Sequence, residues 1–224
     1  MYIVLLLALL AFNFFISWRN AKTVGAYWSE SKQVGGMFRA EIICGYIQAI
    51  AGFTMVYGYI LLLIAPYVMQ AANADPELIA DFEVLAGHLV YLLVAIPIVG
   101  SGFLIWFRSL KNAWEQHNIR SIAVAGYNSF AQIHNTISLA RNAPSAIKSI
   151  GNVLGGGKSK KRSRSKNDGQ AILILLVVIV VLIAILGGFF TANYLVHKAD
   201  EEFDGCQDFL NNHPEYKKKQ RAYC

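Results

Sequence analysis

Four stretches of the chain contain no Asp, Glu, Lys or Arg: residues 1–18, 42–74, 84–107 and 169–197. Apolar side chains dominate each of them. An α-helix rises about 1.5 Å per residue, so a hydrocarbon core about 30 Å thick needs roughly 20 apolar residues. The pattern predicts an all-α fold, a polytopic membrane helix bundle with four transmembrane helices at 1–18, 41–70, 84–107 and 170–197. Pro66 and Pro97 should bend the second and third of these.

A different periodicity lies between the third and fourth spans. Ile119, Ala123, Tyr127, Phe130, Ile133 and Ile137 recur every three or four residues, with Ser121, Asn128, Gln132 and Asn135 on the opposite side. This is an apolar stripe with the helical period. It predicts a cytoplasmic amphipathic helix over about 119–141, within a segment 108–154. Helices that lie in the headgroup plane usually carry Lys and Arg on the polar face, whereas here that face is neutral Asn, Gln and Ser. The stripe is therefore expected to contact protein, within the chain or on a partner.

Composition sharpens the class. Of 224 residues, 55% are hydrophobic and 15% are charged, against about 25% charged in ordinary soluble domains. A soluble enzyme and a disordered chain are both excluded. The net charge of +6 is unevenly distributed: 19–40 is basic, 71–83 has four acids and no base, 108–169 is strongly basic, and the tail 198–224 is mixed. Lys and Arg are retained on the cytoplasmic side of a membrane. Segments 19–40 and 108–169 are thus expected in the cytoplasm, with 71–83, the N-terminus and a short external C-terminal tail outside the cell membrane. Trp18, Trp28, Trp106 and Trp114 all fall at or just beyond the inner ends of spans 1 and 3, where interfacial indoles belong. The first span has no basic residue before its apolar run and a poor cleavage site after it, so it reads as a retained anchor rather than a signal peptide.

Residues 155–169 form a Gly-rich basic linker. Lys158, Lys160, Lys161, Arg162, Arg164 and Lys166 are its candidate contacts with anionic lipid or another polyanion. Nucleic acid would be bound without sequence preference, because no aromatic residue is interleaved for base stacking. Cys206 and Cys224, both assigned to the external tail, are candidates for a disulfide there. Two motif resemblances fail. Gly157-Lys158-Ser159 lacks the earlier glycine of a phosphate-binding loop, Asn152 standing in its place. The acidic run Asp200, Glu202, Asp204 ends with Asn211 where a calcium loop needs Glu.

In the third span His88 is the one titratable candidate, close to its outer end, and Gln48 and Thr54 in span 2 are polar but uncharged. Gly187/Thr191 and Gly188/Ala192 have the small-xxx-small spacing of closely packed helices. No paired intramembrane carboxylates, metal-spacing cluster or nucleophile motif occurs, and no cofactor or small-molecule substrate is implied. The chain is expected to be a non-catalytic membrane protein, a scaffold or assembly subunit of a larger membrane complex, with lipids and other membrane proteins or its own copies as partners. The alternative is an oligomeric pore or channel subunit lined by Gln48, Thr54 or the small-residue faces.

Overall fold

The computed structural model describes residues 2–154 and 165–212, and every described element is helical. The elements are α1 (Tyr2–Ala26), α2 (Trp28–Val34), α3 (Gly36–Ala71), α4 (Pro76–Gln116), α5 (Ile119–Leu154) and α6 (Ser165–Asn212). Helices α1, α3, α4 and α6 are long and apolar enough to cross a membrane, as an integral membrane protein requires. Each runs past its uncharged stretch, because Lys, Arg and Glu are good helix formers and the helix continues into water without penalty.

The turns are sharp and chemically specified. Gly35 and Gly36, with φ of 66° and 56°, separate α2 from α3 in a conformation that side chains disfavour. The Asp75 side chain accepts the Glu77 backbone N–H at 2.9 Å, and Pro76 takes the first helical position of α4. His117 ends α4 in the left-handed region, with φ of 48°.

Contacts fix the direction of every long helix between two ends of the bundle, one holding α2 and the other holding Asp75. Asn13 meets Met55 and Asn20 meets Gly45, so α1 and α3 are antiparallel. Gly58 lies against Val90 and Glu41 pairs with Arg108, so α3 and α4 are antiparallel. Helix α6 runs antiparallel to α3, with Tyr57 bonded to Thr191 at 2.8 Å and Tyr46 to Asn193 at 3.3 Å. Two apolar clusters hold these contacts together. Met69, Phe82, Leu85, Leu173 and Val177 form one near the Asp75 end, and Ala21, Val24, Phe53, Ala192 and Val196 form the other toward the α2 end.

Helix α5 lies alongside α4 instead of extending away from the bundle. Ser129 accepts the Trp106 indole N–H at 2.8 Å, Gln132 donates to the Val99 carbonyl at 3.1 Å, and the Tyr91 hydroxyl donates to the Ser138 carbonyl at 3.1 Å. Farther along, Ile150 and Val153 pack on the Phe82 cluster. The antiparallel course of α5 thus begins at the α2 end and finishes at the Asp75 end.

Three expectations change. The stripe Ile119, Ala123, Tyr127, Phe130, Ile133 and Ile137 does not pack within the chain: Ile119 is 88% exposed, Tyr127 70% and Phe130 71%. Its polar face is the packed one, with Gln132 only 5% exposed, because hydrogen bonds to α4 satisfy it. Second, 19–40 is not a loop but the end of α1, all of α2 and the start of α3. Third, α6 continues without a break through 198 to Asn212, and Asp200 bonds to Ser29 in α2. The chain after span 4 therefore begins at the same end as 19–40, not opposite it. The linker cations Lys158, Lys160, Lys161, Arg162 and Arg164 lie outside the described residues, as does Cys224; nothing describes the Lys166 or Cys206 side chains.

Candidate functional site

The sequence places a neutral polar stripe on α1: Asn13, Ser17 and Asn20 recur at helical spacing on one face. Helix α1 packs on α3 and α6 and stands apart from α5, so part of this stripe faces the space between α1 and α5. Helices α3 and α4 form the floor, through Gln48, Gly52, Ile98 and Gly102. Helix α5 closes the far wall with Tyr127, Asn128, Gln132 and Asn135. The resulting cleft has a volume of about 660 Å³, within the usual range for ligand pockets.

Two glycines set its width. A Cβ at Gly52 would collide with the Ser17 hydroxyl, and one at Gly102 with the Gln132 carboxamide. Their absence lets both polar side chains approach the floor. Some lining groups are already satisfied. The Asn13 amide donates to the Met55 sulfur at 3.1 Å, and that of Asn20 donates to the Gly45 carbonyl at 3.1 Å. Gln132 bridges to Val99 and Thr136. The side chains of Gln48, Asn128 and Asn135 make no hydrogen bond among the described residues, and neither does Ser17, which is only 4% exposed. Arg19 is the one formally charged residue lining the cleft, and it sits toward the α2 end.

A second, largely apolar space adjoins the cleft. Ile98 and Asn135 line both. Beyond them Met55, Tyr59, Val90 and Val94 surround about 220 Å³ between α3, α4 and α5. The cleft thus carries carboxamides and hydroxyls among apolar side chains, and the space beside it is mainly apolar. Phe12, Phe15 and Ile16 form its rim on α1 and are all exposed. Chemically, the polar part can donate and accept hydrogen bonds without supplying or taking a proton, apart from the fixed cation at Arg19.

Of the residues singled out from sequence, Gln48 lines this cleft. Thr54 is 4% exposed and lies against Gly188, whose Cβ would also meet the Thr54 backbone nitrogen at 2.7 Å and the Ile50 carbonyl at 2.9 Å. The small-residue spacing in α6 therefore serves packing on α3. His88 Nδ1 lies 2.6 Å from the Val84 carbonyl of its own helix. The α1 stripe was overlooked as a site, although its spacing is visible in the sequence. Among the described residues no cluster of three or more metal-ligating side chains occurs. Comparison of the chain with protein-family models, with curated proteins and with solved structures returns no match.

Proposed function

We propose that the chain is a non-catalytic assembly subunit of a larger membrane complex, and that it crosses the bilayer five times, with α5 as the additional crossing. Two lengths support the crossing. From Ser129, opposite Trp106, to Ile150, on the Phe82 cluster, α5 advances 21 residues. That distance is about 32 Å, enough to pass a hydrocarbon core of about 30 Å. The partition of the helix agrees from Ser129 to Ser138: Gln132, Ser129 and Ser138 face α4, while Phe130, Ile133 and Ile137 face outward. Beyond it Arg141 and Lys148 are exposed, and their long side chains can extend toward headgroups at the Asp75 end.

His134 carries the assembly reading. It is exposed on the outer face of α5, stacked at 6.2 Å on Phe130. The register of Gln132 with Val99 and of Ser138 with Tyr91 sets it level with the middle of the apolar stretch of α4. Polar side chains at that depth pair with other helices instead of facing lipid. A transmembrane helix of another membrane protein, laid along Tyr127, Phe130, Ile133 and Ile137 and hydrogen-bonded to His134, meets that requirement. The pore alternative has less support, because the polar lining of the cleft gives way to aliphatic side chains beyond Asn135.

A photo-reactive amino acid at position 134 tests the assembly reading in the native membrane. The expected result is a cross-linked adduct with a second polypeptide. Adducts with lipid alone would overturn it. Purified protein in liposomes should give no ion flux; a conductance abolished by Gln48→Leu would establish the pore instead.

A further inference from the structure

We propose that the cleft between α1 and α5 is a binding site for a phospholipid with a hydroxylated headgroup, held with its headgroup toward the α2 end and part of an acyl chain in the apolar extension. The inference rests on the reading that α5 crosses the membrane, since that reading puts the cleft at the bilayer interface.

Three features specify an amphiphile. The first is the juxtaposition of two adjoining spaces, one of about 660 Å³ whose lining mixes carboxamides and hydroxyls with apolar groups, and one of about 220 Å³ lined mainly by apolar residues such as Met55, Val90 and Val94. A water-soluble solute gains little from the second part, and a hydrocarbon leaves the polar groups of the first unused. A molecule with both ends fits both. The second feature is depth. Trp18 and Trp106 flank Arg19 and the cleft at the end where interfacial aromatic residues gather. Arg19 and Thr23 thus lie at headgroup level, with Asn13 and Asn135 deeper. The third is unmet hydrogen-bonding capacity. Gln48, Asn128, Asn135 and the nearly buried Ser17 converge from α1, α3 and α5 without partners among the described residues. Their unpaired polar atoms are accessible and not buried, since no buried side-chain N or O lacks a partner among the described residues, so they are free to bond a ligand.

The headgroup chemistry follows from these groups. Carboxamides and a hydroxyl both donate and accept, which matches hydroxyl groups, themselves donors and acceptors. Carboxamides present no charge to an ammonium group, so a zwitterionic headgroup gains little from them. The Arg19 guanidinium supplies a fixed cation for the phosphate. The rim residues Phe12, Phe15 and Ile16 are exposed and apolar, so the lipid enters sideways between α1 and α5 without crossing a polar barrier.

The full-length protein in phosphatidylcholine nanodiscs tests this, with a minor fraction of phosphatidylinositol, phosphatidic acid or glucosyl diacylglycerol. Native mass spectrometry after release reads the retained lipid. Phosphatidylinositol should be retained at one molecule per chain, in preference to phosphatidic acid, which has the phosphate without the hydroxyls. The triple variant Gln48→Leu/Asn128→Leu/Asn135→Leu should lower that retention about tenfold. These side chains hold nothing else in the fold, so its helical content and thermal unfolding should match the parent. Arg19→Gln should abolish the preference for phosphatidylinositol over glucosyl diacylglycerol. Equal retention of phosphatidic acid and phosphatidylinositol, or undiminished retention by the triple variant, would overturn the proposal. The crossing is checked separately with Asn118→Cys and Asn152→Cys, which an impermeant thiol reagent should reach from opposite sides. Labelling from one side removes the basis of the site, whereas opposite labelling without lipid selectivity overturns the lipid proposal alone.

Discussion

The Ser29 backbone N–H and hydroxyl both donate to the Asp200 carboxylate, at 3.1 and 2.9 Å, across 171 residues of chain. These two hydrogen bonds to one acid tie α2 to the C-terminal part of α6. Lys22 lies 3.8 Å from Glu202 beside it, and Tyr27 and Phe203 are in ring contact. In a background with Cys44, Cys206 and Cys224 replaced by serine, Ser29→Cys and Asp200→Cys should form a disulfide on mild oxidation. The cross-link would appear as a band shift reversed by reductant. A pair that stays reduced, with each thiol labelled from a different side of the membrane, would show that these segments lie at opposite ends.

Close helix approach at α6 predicts a graded response to added side-chain volume. A Cβ at Gly25 would meet the Ala199 Cβ at 2.6 Å as well as the Val196 carbonyl, and Gly188 abuts the α3 backbone. Gly25→Leu and Gly188→Leu should each destabilise the bundle by about 1–3 kcal/mol or more, the usual cost of overpacking. Gly126→Ala meets nothing within 4 Å and should be neutral or stabilising by about 0.5–1 kcal/mol through helix propensity. Thermal unfolding in detergent measures all three. Equal behaviour would mean that α1, α3 and α6 are not packed at these points.

Much of this arrangement was legible because lipid and water sort residues strongly. A run without charge, such as 169–197, can be read directly as a candidate span. The course of α5 along α4 was hidden because its inward groups are Ser129, Gln132 and Ser138, so that its packed face is the polar one and its apolar stripe points away from the bundle. Their partners, Trp106, Val99 and Tyr91, are supplied by another helix and cannot be inferred from local pattern. Within the bundle, α5 returns the chain from the α2 end to the Asp75 end, so that α6 finishes beside α2. The cleft was half legible. Gln48 stood out as a polar residue in a span, but Asn13, Ser17 and Asn20 became a site only when α5 was set across from them.

Gln132 joins α5 to α4 at its most buried polar point, donating to the Val99 carbonyl at 3.1 Å while filling the space above Gly102. Gln132→Leu removes the hydrogen bond and keeps the volume. The expected loss is about 0.6–1.7 kcal/mol, the range for interhelical hydrogen bonds in membranes. Gly102→Val displaces the same side chain by steric conflict and should cost more. If both variants unfold at the parental temperature, α5 does not depend on this contact for its place.

Glu41 and Arg108 form the charged latch between α3 and α4 at the α2 end, with Nε donating to Oε2 at 3.2 Å and both side chains about one-quarter to one-third exposed. Partial exposure limits the contribution. Water screens the pair, and exposed ion pairs typically contribute about 0.2–1 kcal/mol. A double-mutant cycle with Glu41→Gln and Arg108→Gln should therefore give a coupling energy of that size, reduced by added salt. The reversed pair Glu41→Arg/Arg108→Glu tests whether the attraction is specific to the pair or belongs to the surrounding charge. Restored stability in the reversed protein supports a local latch. Continued loss would instead mean that the cation is needed on α4, where it contributes to the basic character of the α2 end and hence to the orientation of the helix in the bilayer. Sidedness of a thiol at Asn73→Cys, measured in the same variant, separates these two outcomes: an unchanged side with restored unfolding temperature identifies the latch, and a mixed population identifies an orientation signal.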